Sequence, residues 1–259
     1  MGGTAFPRAG VHMDKAHNPQ SRLRLWIRLW WSLGVSRHAY KRWRVGNDAE
    51  KTFWLGLSEQ EFVQQERGYQ ALAKQLQDRF GEYGIAPGFR ALQIGCAVED
   101  AVFFLEGGEC HAVDPLADFY KKHFARARNP HVQYRQALGE SLPYPASFFD
   151  VVICQNLLDH VVSYKAVLNE VKRVLRQPNL VYVATDVYDE SNAQRRWQRK
   201  ARGQLNDPCH PHTFTEATLE ATLTAHCFSI QERWPRQPSG KSDDSWRYCV
   251  VATVREPSR

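Results

Sequence analysis

Four residues carry most of the chemistry legible in this chain: Gly95, Asp114, His160 and His210. Gly95 closes the strand-like run "RALQI", and a turn at that point offers free backbone N–H groups and the positive end of a helix to a ligand. Asp114 closes a second run, "CHAVD", 19 residues later. A carboxylate there can accept hydrogen bonds from both hydroxyls of a ribose, although capping the next helix is an equally good use of it. Pro115 and Leu116 add an apolar surface for a flat ring. The turn does not fit a dinucleotide: G-x-G-x-x-G would require glycine at 95, 97 and 100, and Ala97 and Asp100 stand there, the acid where a pyrophosphate would lie. A nucleoside-like cofactor without phosphates tolerates both. His160 follows a third run, "FDVVICQN", and its imidazole suits a general base near neutrality. Asp159, His210 and His212 compete for that role, and helix capping or packing competes for His160.

These positions need a scaffold, and the hydrophobic pattern supplies one. The strand-like runs "RALQIG", "CHAVD", "VQYRQA", "FDVVICQN" and "LVYVATD" are apolar with little alternation and are separated by helical segments of about 10 to 15 residues. Such strands belong to a parallel sheet covered on both faces. Ser58 and Glu61 have capping-box spacing ahead of a helix that presents Phe62, Tyr69, Leu72, Leu76 and Phe80. Further helices are expected over "VEDAVFFLEGG", "LADFYKKHFARA", "YKAVLNEVKRVLRQ" and "TEATLEATLTAHC", the last capped by Thr215. "FSIQERW" and "RYCVVATV" read as an antiparallel hairpin, and the polar stretch "YDESNAQRRWQRKARGQLNDP" reads as a loop or lid. The fold class is therefore α/β: a doubly wound, mostly parallel sheet with a C-terminal antiparallel hairpin.

Residues 48–259 make one domain, preceded by a basic, Trp-rich arm, residues 1–47. The first 50 residues hold nine Lys/Arg against three acids, so the net charge of +6 resides there and the remainder is neutral. A neutral body argues against a nucleic-acid partner. Within the arm, residues 1–20 lack periodicity, and "RLRLWIRLWWSLGV" reads as an amphipathic helix. Residues 21–45 suit a membrane surface or a packing partner equally well; a transit peptide is a third option. Arginines interrupt the only long apolar stretch, so no membrane span or secretory signal is expected. Six scattered cysteines point to a reducing, cytoplasmic setting, and no Cys/His spacing suits zinc, so no metal is expected.

The segments "GESLPYPASFFDVVICQNLLDHV" and "VLNEVKRVLRQPNLVYVATD", following Gly95 and Asp114 in order and spacing, resemble the class I S-adenosylmethionine-dependent methyltransferases of the type 11 (ubiquinone/menaquinone) branch, closely over residues 90–190. Glu140, Leu142, Pro143, Tyr144, Phe148 and Asp150 match the family's loop motif. The resemblance implies a Rossmann-like fold and S-adenosylmethionine as cofactor. It places Gln93, Gly95 and the backbone of Cys96 and Ala97 against the methionine part, Asp114 on the ribose beside Pro115 and Leu116, Gly139 and Glu140 at the adenine, and Asn156 under the sulfonium. "HPHTFT" resembles a stretch before the penultimate helix of relatives. Three features depart from the pattern: Gln93 replaces an acid, Ala97 and Glu99 replace glycines, and Leu138 replaces the acid that contacts adenine. The function implied is methyl transfer to a small-molecule or glycan/lipid-linked acceptor, with His160 or His210 as base; Arg195, Arg196 and Arg199 could meet an anionic acceptor. The alternative is a catalytically silent scaffold that binds a partner or membrane through its arm. A nucleic-acid methyltransferase ranks third, because "NLLDHV" lacks the Asn/Asp-Pro-Pro-aromatic motif. Oligomeric state is not legible.

Overall fold

The computed structural model describes residues 37–204, 209–239 and 245–254, with side chains from Arg42 onward. Two helices open it: α1 (Arg37–Gly56) and α2 (Glu59–Gln77). Strands β1 (Arg90–Ile94) and β2 (Glu109–Asp114) follow, then helix α3 (Ala117–His123), β3 (Val132–Gln136), β4 (Phe149–Gln155), α4 (Tyr164–Val174) and β5 (Leu175–Tyr188). The chain continues through α5 (Glu190–Ala201), α6 (Glu216–Ala225), β6 (Phe228–Arg233), β7 (Gln237–Pro238) and β8 (Ser245–Val254). The sheet order is β3-β2-β1-β4-β5-β8-β6, with β7 also on β8. Strands β1 to β5 pair in parallel, while β8 runs antiparallel to β5 and to β6, as expected for the C-terminal hairpin.

The apolar runs are apolar because both faces of the sheet are covered. Along β4, Val151 and Ile153 join a core with Leu76, Phe80, Phe89 and Tyr120 on one face, while Val152 and Cys154 join Leu168, Val171, Leu219 and Leu223 on the other, as does Phe149 across a register shift between Phe149 and Val151. This is the two-residue strand period. Helix α2 begins at the expected capping box: the Ser58 hydroxyl accepts from Glu61 N and Glu61 returns the bond to Ser58 N. Thr215 caps α6 in the same manner. Asp150, from the loop motif, lies at the far end of the sheet from Gly95 and Asp114, where its carboxylate accepts from Arg90 N at 2.7 Å and from Arg176 Nε at 2.6 Å.

Three expectations are revised. "VEDAVFFLEGG" forms only a 3-10 turn, Ala101–Phe104, which Leu105 ends in extended backbone; beyond it, a Cβ at Gly108 would meet the Phe89 ring at 2.4 Å. The polar stretch after β5 is not a loop but helix α5, since the Asp189 side chain caps it by accepting from Asn192 N at 2.9 Å. The boundary placed at residue 47 falls inside α1, and the compact unit runs from His38 to Arg259. Residues 1–36, with the amphipathic helix expected there, lie outside the described residues. No helix among the described residues is long and apolar enough to cross a membrane.

Candidate functional site

A cavity of about 880 Å³ opens at the C-terminal ends of β1, β2 and β4, where α/β sheets bind ligands. The volume lies within the range of small-molecule sites. Gly95, Ala97, Asp114, Pro115, Leu116, Gly139, Glu140, Asn156, His160 and His210 all line it, so most of the residues singled out in the sequence converge. Gln93 and Cys96 do not. Their side chains are buried: Cys96 in the core on the α2 face, and Gln93 with its carbonyl accepting from Val102 N at 3.0 Å, where it anchors the 3-10 turn. Gln93 thus has no direct reach to a cofactor. Asp100, two turns of chain further on, lines the cavity instead.

The cradle is built from backbone. Gly95 sits at φ +72°, and a Cβ there would meet Leu157 Cδ1 at 2.7 Å. Ala97 also adopts a positive φ, 47°, held by its N–H to Asp114 Oδ2 at 3.1 Å and by the Tyr134 hydroxyl on its carbonyl. Left-handed backbone strains an L-residue by about 1 kcal/mol. Ala97→Gly is therefore expected to leave stability unchanged or to raise it by up to about 1 kcal/mol, as the relieved strain offsets the added chain entropy; urea midpoints check this, and a clear loss would refute the strain.

Asp114 binds the loop that it faces: Oδ2 accepts from Ala97 N, and Oδ1 from Leu116 N at 2.7 Å. Each oxygen keeps a second lone pair for a ribose hydroxyl. Glu140 is committed similarly, with Oε1 accepting from Val162 N and Ser163 N at 2.9 and 3.1 Å, so it holds the start of α4 as well as lining the cavity. Leu116 and Leu138 bring apolar walls to the same end.

Burial pushes Asp100 and Asp114 up to about 7, against the lowering pull of hydrogen bonds from Ala101 N on the first and from Leu116 N and Ala97 N on the second. Because both folded values lie above the unfolded carboxylate value, their stabilising contribution is complete below the unfolded pKa near 4 and is lost as pH rises through about 7. A ligand that donates hydrogen bonds to Asp114 favours its charged form. Its melting-temperature gain should thus be larger at pH 8 than at pH 6, which scanning fluorimetry at both values would measure; equal gains would separate Asp114 from the ligand.

The end of β4 gathers the titratable groups. Asn156, at φ +48°, places Nδ2 3.2 Å from His160 Nε2. His160 Nδ1 lies 3.3 Å from Glu50 Oε1 of α1, and its ring centroid is 4.3 Å from that of His210. Asp159 Oδ2 stands 3.9 Å from His160 Nε2, while Oδ1 accepts from the Thr185 hydroxyl at 2.9 Å. Burial opposes the charge on Glu50, but the hydrogen bond and charge of His160, together with the His210 charge, hold its pKa below the usual range. His212 turns away: its Nε2 is 2.8 Å from Val161 O, and burial, reinforced by Lys200, lowers it to about 4. Donor atoms of Asp159, His160 and His210 lie within 4.8 Å of one another, the group among the described residues that could hold a metal. Neighbouring ligands around tetrahedral zinc are only about 3.3 Å apart, given bonds of about 2.0 Å, so the spacing is looser than a formed site.

Two contributors escaped sequence reasoning. Trp43, Asn47, Glu50 and Trp54 all line the cavity from α1, and their spacing of i, i+4, i+7 and i+11 puts them on one helical face. That stripe was readable, but its polar members disguise it. Arg247 on β8 lines the cavity beside Asp186, to whose Oδ1 it donates at 3.1 Å; no local motif signals it. The arginines of α5 are directed elsewhere in part: Arg196 Nε donates to the Thr213 hydroxyl at 3.2 Å.

A glycine turn after β1, a carboxylate ending β2 and an open β4 end, on a sheet with an antiparallel β8, agree with the resemblance to class I S-adenosylmethionine-dependent methyltransferases, and residues 92–183 match the family described as "Methyltransferase domain". The chain is similar to thiol S-methyltransferase TMT1B of Rattus norvegicus, 31% identical over 157 residues, which cover 57% of this chain and 63% of that protein. It is also similar to the protein of the same name from Mus musculus, 29% identical over 196 residues, covering 72% and 78%. It thus spans less than two thirds of the rat relative. Among solved structures, YcgJ of Bacillus subtilis shares the fold with a TM-score of 0.52 at 17% identity over 66% of this chain and 94% of that one. Geranyl diphosphate methyltransferase in complex with GPP and sinefungin does so with a TM-score of 0.53 at 15% identity over 71% and 78%.

Gly95, where a Cβ would strike Leu157, and Asn156 Oδ1 and Gln155 Oε1, buried acceptors without a hydrogen-bond partner among the described residues, fit the family's cofactor. Asp114 offers acceptors for a ribose, and the two amide oxygens offer acceptors for an ammonium group.

Proposed function

We propose that this chain transfers the methyl group of S-adenosylmethionine to the sulfur of a small thiol. The observation that carries the reading is the continuity of one cavity from the Gly95–Asp114 cradle to the Asn156–His160 end of β4 and on to an aromatic wall of Trp43, Phe53, Trp54 and Trp234. The thiol S-methyltransferases to which the chain is similar support a sulfur acceptor. S-Adenosylmethionine, when bound, supplies an electrophilic methyl on a good leaving group. Gly95, Ala97, Asp114, Leu116 and Leu138 would hold its nucleoside, and Asp100, Gln155 and Asn156 its amino-acid end. What remains for the chain is to seat the acceptor in line with the methyl, which can supply much of the acceleration. The apolar wall favours an uncharged organic thiol and excludes water.

The test pairs cofactor titration with acceptor screening. S-Adenosylmethionine and S-adenosylhomocysteine should raise the melting temperature saturably, and alkyl thiols should be methylated, by mass spectrometry, while the matching alcohols and amines are not. Cofactor binding with methylation of alcohols in place of thiols would overturn the choice of acceptor. Absence of cofactor binding would overturn methyl transfer altogether and favour the scaffold role.

A further inference from the structure

We propose that Glu50 on α1 is the positioning carboxylate of a Glu50–His160 pair, in which His160 Nε2 takes the proton from the thiol acceptor; the proposal rests on the methyl-transfer reading above. Glu50 Oε1 and His160 Nδ1 are 3.3 Å apart at the cavity wall, with side-chain exposures of 30% and 20%. A carboxylate on Nδ1 selects the tautomer with its proton there and leaves the Nε2 lone pair for the acceptor side. Nε2 lies beside Asn156, at the β4 end of the cradle, and in the ligand-free chain Asn156 Nδ2 occupies it at 3.2 Å. A thiol entering the cavity displaces that amide N–H.

The surroundings favour this direction of transfer. The groups facing His160 are Glu50 from α1, Asp159 after β4, His210 before α6, and Asp114 at the end of β2, which it reaches through its charge. The carboxylates of Glu50 and Asp159, joined by Asp114 in its charged form, stabilise the imidazolium, and Glu50, at 3.3 Å against 3.9 Å for Asp159, fixes the ring. In the step, the thiol S–H bond breaks and its proton goes to Nε2. The sulfur's electron pair forms the new S–C bond while the methyl's bond to the sulfonium sulfur breaks, that pair leaving with S-adenosylhomocysteine. The positive charge thereby moves from the sulfonium to the imidazolium, which returns its proton to water.

A thiol sets the size of the effect. For a thiol of cysteine-like acidity, with a pKa near 8.5, roughly 3% is thiolate at pH 7, so a base can contribute at most about 30-fold there, and nothing once the thiol ionises unaided. Glu50→Gln should lower kcat/KM for an alkyl thiol of that acidity, such as an N-acetylated cysteine ester or amide, by about 10- to 30-fold at pH 7, with the deficit closing by about pH 9.5. An aromatic thiol, already ionised at pH 7, should show little deficit. His160→Gln should behave similarly, and S-adenosylmethionine affinity, by calorimetry, should be preserved in both variants. A deficit equal at every pH and for both thiols would make Glu50 merely structural and overturn the proposal. So would loss of wild-type activity on chelation with recovery on Zn²⁺, which would make His160 a metal ligand. If Glu50→Gln does not fold, the wild-type comparison of alkyl and aromatic thiols decides: a pH–rate profile that follows only the thiol's own ionisation overturns the pair. Failure of the wild type to bind cofactor or methylate any thiol overturns the underlying reading instead.

Discussion

Replacing Asp114 by alanine should cost the chain its hold on S-adenosylmethionine. Two ribose hydroxyls donating to one carboxylate are charge-assisted bonds of about 1.5 kcal/mol or more each, so affinity should fall by roughly 100-fold or beyond. The variant also deprives Ala97 N and Leu116 N of their acceptor, loosening the turn that carries the cradle. Calorimetry at pH 8, where the wild-type carboxylate is charged, measures the loss, and Asp118→Ala on neighbouring α3, outside the cavity lining, serves as control. A folded Asp114→Ala protein that binds as tightly as wild type would show that the carboxylate is only a loop staple.

Asp150 offers the opposite case, with a large effect on stability and none on the site. Its side chain is 8% exposed, accepts from Arg90 N where β1 begins and binds Arg176 of β5 through Nε and Nη2 at 2.6 and 2.7 Å. Alanine leaves a backbone N–H without an acceptor, which costs about 1–3 kcal/mol when buried. The Arg176 contribution is discounted because that side chain is 39% exposed. A total near 2–3 kcal/mol should lower the melting temperature by roughly 5–10 °C, while the cofactor dissociation constant stays where it was. A change in cofactor affinity without loss of stability would contradict this division of labour.

Asp150 illustrates what the sequence reveals and what it conceals. The loop motif that contains it carries much of the resemblance to the methyltransferases, yet motif membership does not say at which end of the sheet a residue acts. The strands were legible because parallel strands buried on both faces are apolar throughout, and Gly95, Asp114 and Asn156 were legible because ligands meet such sheets at the C-terminal strand ends. Gln93 was misplaced by strand parity: it stands one residue before Ile94, on the opposite face, and reaches Val102 rather than the cavity. Helix α5 was missed because its arginines and glutamines, though good helix formers, carry little apolar periodicity. Arg247 lay beyond local reading, and the stripe holding Glu50 could be read but not placed, since the two come from the first and last described elements and only the folded chain brings them to one cavity.

Helix α1 has a consequence of another kind. It enters no strand ladder, yet Trp43, Asn47, Glu50 and Trp54 contribute one wall of the cavity, opposite residues fixed by the sheet. On the reading proposed above, the donor is held by strand ends and their loops, while much of the acceptor wall comes from this one helix. In such an arrangement, selectivity can diversify by redrawing a single amphipathic segment while the machinery common to the family is inherited unchanged.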